Sequence, residues 1–426
     1  MVTTAALGSR EEAGFGHLRH AALSAFWFGS NFLWIPVTTL LIQTEIKSVV
    51  PSGLKNSALG LAVGLGGVLS TAVPPLVGYW SDRLNTRFGR RRPIMIGASL
   101  LTMPGLVILM VAGNYPTVLI GYLIIQFFFN AANAAYAGII PDVVPAQQTG
   151  RASGYLATMT QLGIGGGLGV TAFLGNYRAV YLVFGLVALL SLIPTVWAAS
   201  GEGKEPITLG PRKPLGATVR EFLRPLHEGD FAWVIFTRLM VSSGITVVLY
   251  FLLNFFGDVV LPANTSASAI QLFTNEWLLV VVLVATPFGF VGGLLSDRLH
   301  RRKIFVYIAG AAQGFVALTF IALYPKAVPL VFALGIAYGI GYGLYYAVDW
   351  ALACDTLPDK SNSAKDMGLF HIALTLPQAL LTAIGGVLID LLNGAHGNGG
   401  YRVVFSSAIV FLFLGTIFVS RVKSVR

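Results

Sequence analysis

Apolar residues on this chain do not recur with the period of a half-buried helix or strand. They run almost unbroken for about 20 residues at a time, the length a helix needs to cross a bilayer core. Six such runs, 21–43, 58–80, 93–112, 117–140, 152–174 and 179–199, precede the one long polar stretch, 200–230. Six more follow it: 231–256, 277–295, 304–324, 328–351, 367–391 and 403–419. The runs are too long and too uniformly apolar for the alternation of a barrel strand. The pattern predicts an all-α membrane protein with twelve transmembrane helices in two pseudo-symmetric six-helix bundles. Its parts are an N-terminal tail 1–20, a bundle 21–199, a linker 200–230, a second bundle 231–420 and a C-terminal tail 421–426.

Composition supports that pattern. Apolar residues make up 55% and charged ones 11%, where a soluble domain carries about 25% charged residues. The net charge of +10 does not lie on a soluble basic face, so nucleic acid is not the expected partner. The cations cluster in alternate loops, as cytoplasmic loops do. Arg83, Arg87, Arg90, Arg91 and Arg92 follow the second run, and Arg298, Arg301, Arg302 and Lys303 the eighth. Lys204, Arg212, Lys213, Arg220 and Arg224 occupy the linker, and Arg421, Lys423 and Arg426 the end. Both termini are therefore expected in the cytoplasm, in a multi-pass protein of the inner, cytoplasmic membrane. The first 20 residues hold no apolar core of a cleavable leader, so the first span should serve as its own insertion signal. Cys354 is the single cysteine, which leaves no intramolecular disulfide; no metal and no cofactor are expected.

The halves echo each other. Gly78-Tyr-Trp-Ser-Asp82-Arg83-Leu84 matches Gly293-Leu-Leu-Ser-Asp297-Arg298-Leu299. Pro141-Asp142-Val-Val-Pro145 before Arg151 matches Cys354-Asp355-Thr-Leu-Pro358 before Lys365. Both matches fall at equivalent span ends, and repeats of this kind place a solute site at the midplane between halves that rock. Asp82 and Asp297 have two readings. One is a topology signal in which the acid only tempers the arginines. The other is a latch, because a carboxylate suits the N-terminus of a facing helix. Asp82 would face the start of span eleven near 365–367, and Asp297 the start of span five near Arg151. Arg83, Arg90, Asp142, Arg298 and Asp355 belong to the same candidate latch.

The run Ser81-Asp82-Arg83-Leu-Asn-Thr-Arg87-Phe88-Gly89-Arg90-Arg91-Arg92-Pro93 resembles the loop signature of the major facilitator superfamily. It is similar especially to the lengthened form in sucrose transporters and glycoside–pentoside–hexuronide:cation symporters. The stretch from Pro141 to Gly154 is also similar to bacterial members of that group. The resemblance implies secondary transport, often of a sugar with a proton or sodium ion, and a central cavity lined by spans one, four, seven and ten. Sodium-coupled members carry acids within spans two and four. Here 58–80 and 117–140 contain none, so H+ or no coupling ion fits better.

An ionisable residue inside a span is costly and marks a cavity or a partner. Arg238, Asp349 and His371 qualify, at comparable depths from one end by the helical rise of about 1.5 Å per residue. Arg238 and Asp349 could form a buried pair with His371 beside it, serving either architecture or proton coupling. Candidate solute-binding residues are Asn31, Trp34, Gln126, Asn130, Asn133, Gln161, Tyr250, Asn254, Gln313, Tyr346 and Gln378, with Tyr342 and Tyr345. Amides and aromatic faces suit a sugar, although the same residues also join membrane helices. Gly163-Ile-Gly165-Gly166-Gly167-Leu-Gly169 lies in an apolar span with no following Lys-Ser or Lys-Thr, which excludes a phosphate loop. The expected function is a secondary transporter of a small polar solute, a sugar or glycoside, working by alternating access as a monomer among lipids, with proton symport. The rivals are a drug or lipid exporter, and a non-transporting membrane protein of the same fold. A membrane enzyme would need a paired nucleophile and base or a metal cluster, and neither is visible.

Overall fold

A computed structural model describes residues 16–81, 83–84, 86–145, 148–174, 177–202, 223–227, 229–357, 363–396 and 398–425. Twelve long helices account for most of them. In chain order they are α1 His17–Val49, α2 Lys55–Ser81, α3 Arg92–Val111, α4 Tyr115–Val143, α5 Thr149–Leu174 and α6 Tyr177–Ala198. Then come α7 Gly229–Val260, α8 Ala267–Leu299, α9 Arg302–Leu323, α10 Val328–Thr356, α11 Ser363–His396 and α12 Gly399–Phe418. Eleven are long and apolar enough to cross a membrane by composition. The glycine-rich α5 is the twelfth, its glycines diluting the hydropathy without shortening the helix. Most helices run past the apolar runs by several residues. A backbone leaving the bilayer still satisfies its hydrogen bonds within the helix. Most of the linker expected at 200–230 lies outside the described residues.

Local chemistry shapes the helices where they meet. Pro36 has no N–H to give the Phe32 carbonyl, and α1 continues through a π-helical stretch, Val37–Leu41. The α5 glycines 163 and 167 lie against the carbonyls of Phe28 and Phe32, where a side chain would collide. Gly335, Gly339 and Gly343 bring α10 equally close to α8 at Trp277, Val281 and Ala285. Small residues of this kind permit close helix approach in lipid.

The packing is unequal along the bilayer normal. One end of the molecule carries both ends of the described chain and the arginine loops, and is termed here the basic end. There the buried side chains form two separate cores. One draws only on the first half (Phe26, Met95, Tyr136, Ala199), the other only on the second (Phe231, Val306, Tyr345, Leu412). At the far end a single core crosses both halves, joining Leu41, Tyr122 and Phe184 to Phe251, Phe255, Trp277 and Tyr401. The halves share one core at the far end and keep separate cores at the basic end, and the region between those separate cores is termed here the cleft.

Candidate functional site

Helices from both halves border the cleft, and their uncharged side chains form two groups. On the first half, Trp34 of α1 stacks on Phe129 of α4 with centroids 4.5 Å apart and planes within 2°. Two turns away, Trp27 lies over Tyr136 at 5.9 Å and donates its indole N–H to Thr160 Oγ1 at 2.7 Å. Asn31 and Asn133 are half-buried beside these rings. Asn31 donates to the Trp27 carbonyl at 2.8 Å, and Asn133 Oδ1 accepts from Ser30 at 2.8 Å. On the second half, Tyr342 and Tyr346 of α10 pack 4.6 Å apart, with Tyr346 exposed and Tyr250 of α7 half-buried. Gln161 of α5 reaches across the halves to Thr286 Oγ1 of α8 at 2.9 Å.

Not every amide predicted to bind lies there. Gln126 is fully buried and donates to Tyr122 OH, while Asn130 donates to the Gln126 carbonyl at 2.7 Å. Gln378 is buried too. Gln313 of α9 is 0% exposed and lies against Gly341 inside the second half, away from the cleft. Asn254 is buried at the far end and donates to Asn56 Oδ1 at 2.9 Å. A sequence shows that an amide is inside a span but not which way the helix turns it.

The three ionisable residues converge. Arg238 of α7 pairs with Asp349 of α10 through Nη1 and Oδ2, and Tyr345 OH donates to Asp349 Oδ1 at 2.9 Å. The Arg238 guanidinium lies 3.7 Å over the Phe370 ring of α11. Arg238 and Asp349 are 6% and 4% exposed. His371, next to Phe370, is within the electrostatic reach of Arg238 yet exposed on the cleft side of the pair. All five belong to the second half, so this cluster does not bridge the halves. Tyr345, expected among the solute-binding aromatics, instead hydrogen-bonds the carboxylate.

Of the candidate latch residues, Asp142 and Asp355 form clasps within their own halves. Arg90 and Arg91 pair with Asp142 at 2.7 and 3.0 Å, joining the start of α3 to the end of α4. Arg302 pairs with Asp355 at 2.5 Å, the equivalent join of α9 to α10. Arg151 and Arg298 are exposed and Arg83 is half-buried. Asp82 and the Asp297 side chain lie outside what the structure describes. A residue the sequence reading assigned to the linker adds to the clasp: Glu202 is 3% exposed and accepts from the N–H groups of Arg90 and Arg91, each at 3.1 Å. Gly89, at φ +95°, turns those two amides toward it, in a conformation side chains disfavour. A carboxylate there satisfies orphan amides at the α3 N-terminus.

At the far end the structure shows a network the sequence reading missed. Lys55 of α2 pairs with Asp258 of α7 at 2.5 Å, and Tyr401 OH of α12 donates to Asp258 Oδ2 at 2.7 Å. Asp390 of α11 accepts from Asn56 Nδ2 at 2.8 Å and from the Ser57 N–H at 2.6 Å. The available signal was charge of both signs at span ends, where Lys55, Asp258 and Asp390 stand.

Comparison with known proteins agrees with this architecture. Residues 21–273 and 258–425 match the Major Facilitator Superfamily. A human protein, Proton-associated sugar transporter A, is 25% identical over 198 residues; the match spans 40% of this chain and 26% of that protein's length. The D-xylose-proton symporter superposes with a TM-score of 0.68 at 17% identity, covering 96% of this chain and 98% of that one. A nucleoside transporter gives 0.70 at 13% identity, covering 95% and 100%. A bacterial homolog of the human lysosomal transporter Spinster, inward-facing and occupied, gives 0.64 at 15% identity, covering 95% and 96%.

Proposed function

Because the chain belongs to the Major Facilitator Superfamily, a family of transporters, we propose that it is a secondary transporter of a neutral polyhydroxylated solute, a sugar or glycoside, moved by alternating access with a proton. One observation carries this reading: apart from His371, the half-buried and exposed side chains named between the halves are aromatic faces and amide or hydroxyl groups, with no unpaired fixed charge among them. Trp34 on Phe129, Trp27, Tyr342 and Tyr346 offer flat apolar faces to C–H surfaces. Asn31, Asn133 and Gln161 offer donors and acceptors to hydroxyls. A lipophilic cation would look for an uncompensated carboxylate, and Asp349 is already held by Arg238 and Tyr345. The basic end is assigned to the cytoplasm by its arginine loops, so the cleft opens inward. The related sugar transporter and the superposed xylose symporter favour the sugar reading and the proton.

Within the charged cluster, Arg238 and Asp349 orient each other and His371 carries the proton. It is the member of the cluster with an exposed side chain, and an imidazole can hold or release a proton at a ring nitrogen. Counterflow of labelled sugars, glycosides, nucleosides and a lipophilic cation in proteoliposomes tests the solute. Exchange of a sugar or glycoside alone is expected; exchange of the cation alone would favour the drug-exporter reading. For the proton, His371→Gln should retain counterflow and lose pH-driven accumulation. Accumulation at the parental level would remove His371 from the proton path.

A further inference from the structure

The polar contacts across the far end converge on one turn of one helix. Lys55, Asn56 and Ser57 open α2, where the first N–H groups have no intrahelical acceptor. The second half supplies the acceptors. Asp390 Oδ1 takes the Asn56 side-chain amide, and Oδ2 takes the Ser57 backbone N–H. Asp258 takes Lys55, and Asn254 donates to Asn56 Oδ1. The acceptors are set within their own half, since Tyr401 OH fixes Asp258 from α12. Beneath this turn the helices approach closely, with only small side chains between them. Gly60 lies against the Thr382 carbonyl, Gly386 against the Asn56 carbonyl and Gly67 against Ala379. These contacts between α2 and α11 continue to Thr71, whose hydroxyl meets that of Thr375 at 2.9 Å.

We propose that Asp390 and Asp258 form a socket, and the first turn of α2 its plug, and that release of this plug is the step that opens the far end. The chemistry gives the contact two states. Engaged, two carboxylates neutralise a lysine and the positive end of a helix dipole, with charge-assisted hydrogen bonds in a partly dry seam. Released, water replaces every one of these bonds, so the contact is reversible. The seam below is lined by glycine and small side chains, which interlock little once the plug is withdrawn. The inference goes beyond the assignment of a solute, and its test needs none.

A Thr382→Cys reporter on a Cys354→Ala background reads the seam, because Thr382 is fully buried and its carbonyl meets Gly60 of α2. A maleimide labels it only when the far end opens. Asp390→Ala should raise the labelling rate of the purified protein by about 2- to 30-fold, the range expected for loss of a helix-capping carboxylate. Lys55→Ala should act in the same direction. A second reporter, Leu352→Cys, lies in the basic-end core of one half and should label at an unchanged rate in both variants. A disulfide between Asn56→Cys and Asp390→Cys, formed before labelling, should slow the Thr382→Cys reaction. Unchanged Thr382→Cys labelling in Asp390→Ala and Lys55→Ala would overturn the proposal. So would equal acceleration of both reporters, which would make the residues structural supports rather than a gate.

Discussion

The two ends of the molecule use the same chemistry at opposite scales. At the basic end, carboxylates meet arginines and a helix N-terminus inside a half: Asp142 and Glu202 at the start of α3, Asp355 at the start of α9. At the far end, carboxylates meet a lysine and a helix N-terminus across the halves: Asp258 and Asp390 at the start of α2. A clasp within a half makes a rigid body, while a clasp between halves ties two bodies together. The apolar packing follows the same division, with separate cores at one end and a shared core at the other. Motion of one half against the other would therefore leave the basic-end clasps intact and break the far-end ones. A carboxylate at a helix N-terminus thus indicates a capped helix, and its location in the assembly decides whether the cap is structural or conformational.

The largest expected effect tests the rigidity of the second half. Arg238→Ala leaves Asp349 buried without its cation, and breaking a buried pair costs about 3–5 kcal/mol. Thermal unfolding of the purified variant should show a loss of that order, with poor yield. A variant as stable as the parent would mean that the cluster is already wet and does not stiffen its half. Next is the shared far-end core. Gly386→Leu places a side chain against the Asn56 carbonyl, and overpacking of that kind costs about 1–3 kcal/mol. It should destabilise the far-closed state and speed Thr382→Cys labelling; an unaffected rate would mean that the seam is looser than its contacts imply.

Smaller effects sharpen the contrast from the basic end. Glu202→Ala removes the carboxylate at the α3 N-terminus, for which about 0.5–2 kcal/mol is typical. Because that clasp lies within one half, the loss should appear in unfolding and not in Thr382→Cys labelling. A change in labelling would show that the basic-end clasp is coupled to the gate. The smallest effect is expected at Gly78, near the basic end of α2, where an added Cβ meets nothing within 4 Å. Gly78→Ala should change stability by no more than about 1 kcal/mol, in the stabilising direction if anything, because alanine favours helix. A clear destabilisation would show that the halves meet at this end as well.

Much of the fold was legible in the sequence, because the quantities that set it are local. Bilayer thickness fixes the length of an apolar run, and a backbone in lipid has little alternative to a helix. Twelve runs therefore implied twelve helices, including α5, whose glycines lower its hydropathy. The convergence of Arg238 and Asp349 was legible for a related reason: a charge within a span is costly enough to imply a partner at the same depth. Only the tertiary structure decided what depends on how a helix is turned and what it meets. Gln313 and Asn31 are similar amides within spans, yet one is sealed behind α10 and the other borders the cleft, because rotation about a helix axis follows from packing on its neighbours. Lys55, Asp258 and Asp390 stand at span ends, where a charge is inexpensive and implies no partner. Their joining depends on two halves meeting across about 200–330 residues of chain, a long-range consequence of packing that no local pattern encodes.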